Sequence, residues 1–193
     1  MPKKVDHQAR RALIADALMQ VAAEQGLEAV SLRHVAAAAG VSAGMVQHYF
    51  RTKDEMMAFA LAVVRARNQV RVTEAIGRLG DDPPARLLLR TMIAALLPLD
   101  DQSRADGRVA LAFLAYTAVR PAAARELHDD TAQMVGFLAG LLPGPDAAAD
   151  AAGLLALMEG LGVYVLGGQY TAEQALGVLD AHLNLLFARR GRH

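Results

Sequence analysis

Ser31-Leu-Arg-His-Val-Ala-Ala-Ala-Ala-Gly40-Val-Ser-Ala-Gly-Met-Val-Gln-His-Tyr-Phe50 reads as two short helices joined by a tight turn. Ser31 can cap a helix over Leu32–Ala39, and Gly40 ends it at a position that tolerates positive φ. Ser42 can cap the next helix, Ala43–Phe50. Two helices crossing at a steep angle need a small residue at the crossing, which Ala36 supplies, and apolar residues that seal the pair. Val35, Val41, Val46 and Phe50 have the spacing to do so, leaving Ser42, Ala43, Gly44, Met45, Gln47, His48 and Tyr49 on the outer face.

That outer face has no charged residue between Ser42 and Phe50, whereas a helix built only for solvation would carry Glu and Lys. Small residues at its start allow close approach to base edges in a major groove. Gln47 and His48 can hydrogen-bond bases, and Tyr49 can bond a phosphate. Lys53, opening the following helix, adds an ammonium where free N–H groups already favour a phosphate. The plainer alternative is a helical hairpin with an unremarkable surface.

Outward from this stretch the chain stays helical. Leu13, Ile14, Ala17, Leu18 and Val21 recur at helical spacing in a first helix that Gly26 ends. Thr52 with Glu55 makes a capping box that opens a long helix toward Leu79. After Gly80-Asp-Asp-Pro-Pro84 come a helix near Ala85–Leu97, a loop from Pro98 to Asp106, and helices near Gly107–Val119 and Ala122–Leu142. Pro143-Gly-Pro145 stops the last of these, and two more follow, near Ala147–Gly167 and Ala172–Arg189, the second capped by Thr171 or started just after it. The 40 Ala and 28 Leu against 3 Ile, 16 Val and 6 Thr agree: the fold is all-α, with about nine helices.

Charge and chemistry narrow the function. Residues 1–71 carry ten basic and six acidic side chains, and residues 72–193 carry ten and fourteen, so an anionic partner is expected for the first part only. Without cysteine there is no disulfide, thiol nucleophile or Cys-ligated zinc. Glu126-Leu-His128-Asp-Asp130 is a compact ligand-like cluster, but on a helix His128 points away from Glu126 and Asp130, so no metal or other cofactor is expected. The three serines, 31, 42 and 103, lie in no nucleophile elbow, and no phosphate loop or dinucleotide fingerprint occurs, so no enzymatic activity is expected. The first thirty residues have no clean apolar core, which points to the cytoplasm. Ala151–Gly168 is apolar apart from Glu159; a spanning helix needs about 20 apolar residues without a central carboxylate, so a buried helix is expected instead.

The run from Gly26 through Phe50-Arg-Thr-Lys-Asp-Glu-Met-Met57 resembles the N-terminal domain of the TetR family of transcriptional regulators. It carries the pattern apolar-x-x-Val-Ala-x-x-Ala-Gly-Val-Ser-x-Gly-x-Val-x-x-Tyr-Phe-x-x-Lys-x-Glu, and the likeness covers about residues 8–60. Leu154-Leu-Ala-Leu-Met-Glu-Gly-Leu161 and Leu179-Asp-Ala-His-Leu183 also resemble the C-terminal helices of a common subgroup. The resemblance implies a helix-turn-helix DNA-binding domain over residues 1–53 and a helical ligand-binding and dimerisation domain over 54–193. It places Arg33 at a DNA contact of the second helix, Ser42, Ala43, Gly44, Met45, Gln47, His48 and Tyr49 on the recognition helix, and Lys53 at a phosphate. Gln47 stands where the family often has tyrosine, and Met45 where Thr or Asn is frequent, so an operator sequence cannot be borrowed.

Leu154, Met158, Leu161 and Val165, then Leu176, Leu179, Leu183 and Leu186, form seams of alternating three and four residues. They suggest a four-helix bundle from two subunits, as the resemblance also implies, or else a seam facing the chain's own core. The family's small-molecule pocket would draw on Phe59, Met92, Phe113, Tyr116, Thr117, Met134, Phe137, Met158 and Tyr164, adaptable or hydroxyl-bearing residues that equally suit a plain core. Arg120, just before Pro121, reads as a cation meeting a helix C-terminus. The function expected is a ligand-responsive transcriptional regulator, a repressor that binds a palindromic DNA operator as a homodimer and is released by a small-molecule effector. The alternative is a helical sensor or carrier without DNA binding.

Overall fold

A computed structural model describes residues 7–26, 29–118 and 121–188, without the side chains of residues 8 and 121–127. Arg120 and the Glu126 side chain lie outside the described residues. Among these residues there are nine α-helices and no strand: α1 His7–Gln25, α2 Leu32–Ala39, α3 Ala43–Tyr49, α4 Lys53–Gly77, α5 Ala85–Leu96, α6 Asp101–Ala118, α7 Pro121–Ala139, α8 Ala147–Leu166 and α9 Ala172–Ala188.

Local chemistry sets most boundaries. Glu55 N–H donates to Thr52 Oγ1 at 3.1 Å, while Glu55 Oε2 accepts from Arg51 N–H at 2.7 Å, one residue before the usual box partner. Thr171 and Gln174 make the same reciprocal pair at the start of α9, at 2.9 and 3.1 Å. One expectation fails at α6. The helix begins at Asp101, inside the stretch expected to be a loop, because Asp100 and Ser103 cap it: Ser103 N–H donates to Asp100 Oδ1 at 2.8 Å and Asp100 N–H to Ser103 Oγ at 3.0 Å. The first of these bonds is the main reason the Asp100 carboxyl titrates below its ordinary value. Helix α7 stops three residues early; its end tightens as Leu141 N–H donates to the Leu138 carbonyl at 3.0 Å and Leu142 N–H to that of Ala139 at 3.2 Å.

The chain gathers into two compact units. The first comprises residues up to Arg67 together with Ala105–Tyr116, the second Asn68–Arg104 with the residues from Thr117 onward. In the first, Ile14 and Leu18 of α1, Val35 of α2, Val46 of α3, Met56, Met57 and Val64 of α4, and Val109 and Phe113 of α6 share one core. Arg67 fastens it, reaching Asp16 at 3.3 Å and the almost fully buried Asp106 at 3.1 Å. A buried carboxylate without such a cation would be costly. The Arg11 guanidinium lies 4.6 Å above the Phe59 ring and 5.6 Å from that of Phe50.

The second unit packs Leu89 and Ile93 of α5, Leu138 of α7, Ala151, Leu154, Leu161 and Val165 of α8, and Ala175, Leu179, Leu183 and Leu186 of α9 into another core. Arg90 grips Asp180 through two hydrogen bonds of 2.7 and 3.0 Å, and Arg86 reaches Asn184 at 3.0 Å, so α5 is clamped to α9. This corrects the expected dimer seam. Leu154, Leu161, Val165, Leu179, Leu183 and Leu186 are 3% exposed or less, and Met158 and Leu176 pack against the same core. A seam of this spacing wants apolar partners, and α5 and the facing helix already supply them within the chain.

The expectation that Ala151–Gly168 is buried holds for one side only. Ala147–Leu166 is long and apolar enough to cross a membrane by length and composition, yet only 22% of its apolar window is buried in the chain. Its other side shows Ala152, Gly153, Ala156, Gly160, Val163 and Tyr164 to the outside.

Candidate DNA-binding surface

Helices α2 and α3 are built from local rules. Ser31 Oγ accepts from His34 N–H at 3.2 Å, and Ser42 Oγ accepts from Met45 N–H at 3.2 Å, so both serines are spent on helix starts. Gly40, at φ +65°, lets its own N–H reach the Ala37 carbonyl at 3.2 Å and the Val41 N–H reach that of Ala36 at 3.0 Å, the closing bonds of α2. Val35, Ala36, Val46 and Phe50 are buried, as their spacing predicts. Ser103, the third serine, is buried in the cap of α6.

What remains outside is a shallow, uncharged strip. Arg33, Ser42, Ala43, Gly44, Gln47 and His48 are exposed; Met45, Tyr49 and Lys53 are half-buried. A Cβ added to Gly44 would meet nothing nearer than Ser42 Oγ at 4.0 Å. The chain's own packing therefore does not require glycine at 44, although glycine inside a helix costs about 1 kcal/mol against alanine. Lys53 starts α4, whose first-turn N–H groups point the same way as its positive end.

Sequence reasoning missed two side chains at this surface. His34 is exposed, but its Nδ1–H donates to the Ala29 carbonyl at 2.6 Å, which fixes the ring. His7 comes from α1, 42 residues away in sequence, and its Nδ1 lies 3.2 Å from the Tyr49 hydroxyl. Nothing in local spacing marks either one.

The nine ligand candidates are divided between the two units. Phe59, Phe113 and Tyr116 belong to the first unit, and Met92, Thr117, Met134, Phe137, Met158 and Tyr164 to the second. Phe113 sits in a core, and the Tyr116 phenol donates to Asp54 at the start of α4, so its hydroxyl has a partner within the chain. Phe137 and Tyr164 are exposed, the latter edge-on to Tyr170 at 5.1 Å. An open groove of about 310 Å³ between α1 and α4 includes Phe59 alone of the nine, beside Arg11, Ala12, Ala15, Asp16 and Val63. Among the described residues no three His, Asp or Glu gather as a metal site would need.

Comparison with known proteins places this architecture. Residues 14–59 match the family of bacterial regulatory proteins of the TetR type, and residues 84–188 match the family described as BetI-type transcriptional repressor, C-terminal. The chain is 32% identical to the HTH-type transcriptional regulator BetI of Stenotrophomonas maltophilia, over 95% of this chain and 97% of that protein. The crystal structure of a transcriptional regulator from Rhodococcus sp. RHA1, 33% identical, superposes with a TM-score of 0.83 over 92% of this chain and 96% of that one. That of the multidrug binding protein EbrR complexed with imidazole, 29% identical, gives 0.66 over 94% and 93%.

The chain belongs to the TetR family, with a BetI-type C-terminal part. It is a ligand-responsive helix-turn-helix transcriptional regulator, of a family whose members act on DNA and are not enzymes.

Proposed function

We propose that the chain represses transcription by binding a palindromic operator as a homodimer in the cytoplasm, and that a small-molecule effector releases it. The outward face of α3 carries this reading. It combines a glycine that the chain does not need, two hydrogen-bonding side chains at Gln47 and His48, and cations at Arg33 and Lys53 on either flank. Gln47 and His48 read base edges, Ser42, Ala43 and Gly44 admit the groove wall, Met45 packs beside a base, and Arg33, Tyr49 and Lys53 hold phosphates.

The outer side of α8 and α9 is the surface for a second copy. Gly153, Ala156, Gly160 and Val163 stand on α8, and Gly177, Val178, Ala181 and Leu185 on α9, all exposed. Gly153, Gly160 and Gly177 have nothing within 4 Å of an added Cβ, and no Lys or Arg occurs from residue 147 to 188. A face of this kind suits close packing of two helix pairs about a two-fold axis, and homodimer interfaces are more apolar than other surface. Two recognition helices could then enter successive major grooves with centres about 34–36 Å apart. One short reading head alone contacts too few bases to be selective.

For the effector, the imidazole complex of EbrR supports a small-molecule ligand here. Of the residues offered for it, Met92, Thr117, Met134, Phe137, Met158 and Tyr164 remain candidates in the second unit. Tyr116 acts elsewhere. Together with Arg67 it ties α6 to α4, Tyr116 bonding Asp54 and Arg67 bonding Asp106. A ligand favouring a form in which α6 shifts would disturb the start of α4 beside Lys53, and so shift the population away from the DNA-bound form.

Selection of bound duplexes from a random library, followed by anisotropy across salt, tests the proposal. A palindromic winner whose affinity falls steeply with salt is the expected result. Weak, uniform binding without enrichment, repeated on refolded protein to remove any carried ligand, overturns it.

A further inference from the structure

We propose that His7 is part of the DNA-contacting surface, as the residue that positions the Tyr49 hydroxyl against a phosphate; this rests on the proposed operator binding. Three rings from two distant segments meet at the C-terminal end of α3. The His7 Nδ1 lies 3.2 Å from the Tyr49 hydroxyl, the His7 and Tyr49 ring centres are 6.0 Å apart, and those of His7 and His48 are 6.4 Å apart. His48 stands edge-on to Tyr49 at 5.4 Å. The cluster is not core: His7 and His48 are exposed and Tyr49 is half-buried.

The chemistry gives the contact a use. A phenol that bonds a phosphate must donate its single O–H to the phosphate oxygen, and its own oxygen is then left to accept. The neutral imidazole of His7 can present Nδ1 either as acceptor or as N–H donor. In the free protein the phenol can donate to Nδ1; with a phosphate in place, Nδ1–H donates to the phenol oxygen while the phenol O–H turns to the phosphate. His7 therefore keeps the hydroxyl in one position through both states, and a pre-positioned donor loses less on binding than a freely rotating one. A simple tie between α1 and α3 would place no such demand on the imidazole.

The test measures binding of the full-length protein to the selected operator and to a scrambled duplex, with His7→Ala, His7→Asn and Tyr49→Phe singly and His7→Ala combined with Tyr49→Phe. His7→Ala is expected to weaken both duplexes equally, by about two- to tenfold, as loss of one hydrogen bond implies. His7→Asn, whose amide can take either role, restores most of that loss, and His7→Ala adds nothing once Tyr49 is Phe. The thermal midpoint is expected to stay at the wild-type value. Unchanged affinity in His7→Ala overturns the proposal, as does an additive double variant, a loss confined to the operator, or a lowered midpoint that accounts for the loss. If the wild type binds no duplex, the operator reading fails and takes this one with it; if wild type binds and His7→Ala does too, this one fails alone.

Discussion

Helices α3 and α8 both turn a low-relief side outward, and the difference between those sides is instructive. On α3, alanine and glycine at 43 and 44 are followed by an amide, an imidazole and a phenol, with Arg33 and Lys53 near by. On α8, Gly153, Ala156, Gly160 and Val163 bring no side-chain hydrogen-bond donor, and the helix's charges, Asp150 and Glu159, are both acidic. Small residues open both surfaces to close approach. What is set among them decides which partner gains: hydrogen-bond donors and cations suit a polyanion with patterned edges, hydrocarbon suits another hydrocarbon face.

The sharpest way to break this contrast is to add a further charge to the outward side of α8, beside Glu159. Ala156→Asp puts a carboxylate on the outward side, where the single chain tolerates it, but sets two carboxylates near each other in a two-fold pair. Light scattering at micromolar concentration is expected to report a monomer, and operator affinity to fall by about 100-fold or more as the second reading head is lost. A dimer that persists with full affinity would show that this side of α8 is not the interface. On α3's flank the change is smaller. Lys53→Ala is expected to weaken every duplex by about three- to tenfold and lower the slope of log affinity against log salt by about one; an unchanged slope removes Lys53 from phosphate contact.

The two helices also differ in how much of them can be read from sequence. The devices that delimit α2 and α3 are local: the Ser31 and Ser42 caps and Gly40 at the turn lie within a few residues of what they act on. Periodicity serves there to mark the buried stripe of Val35 and Val46, although the α1, α4 and α6 residues that complete their core lie far away in sequence. On α8 and α9 the same periodicity identifies the leucine stripe but not the helix it faces. Leu89 and Ile93, more than fifty residues earlier, occupy the place expected for a second copy. The outer stripe escapes such a reading because glycine and alanine carry little hydrophobic signal. At α6 the signal is present in Asp100 and Ser103, but Pro98 outweighs it in a reading by breakers. His7 has no local mark at all, since its partner is 42 residues away. The ligand candidates rest on residue type, a criterion that cannot tell core from cavity.

Two carboxylates sharpen the contrast between the inner and outer sides of the α8–α9 pair by titration. Asp180, on the side of α9 that meets α5, is held below its ordinary pKa, first by the Arg90 hydrogen bond. A depressed folded value means stability that is present above the unfolded pKa of about 3.9 and lost as pH falls through the folded one. Asp180→Asn is accordingly expected to cost about 1 kcal/mol at pH 7 by denaturant titration, since the pair is partly open to solvent, with the gap to wild type closing in acid. A gap that stays constant down to about pH 2 would mean that the charge on Asp180 contributes nothing.

Glu159 behaves in the opposite sense. It stands on the outer side of α8 among glycine and hydrocarbon, without a Lys or Arg anywhere from 147 to 188, and desolvation there holds its carboxyl above the ordinary value. With the folded value raised, the native state binds more protons than the unfolded chain between the two pKa values, so stability is greatest below the unfolded value of about 4.3 and declines as pH rises through the folded one. Glu159→Gln removes the charge that is penalised. It is expected to raise the denaturant midpoint slightly near pH 7, to leave it unchanged below about pH 4, and to tighten self-association near pH 7 if a second copy covers this side. Equal midpoints for variant and wild type at both pH values would mean that Glu159 stays fully hydrated, and with it that α8's outer side remains in water.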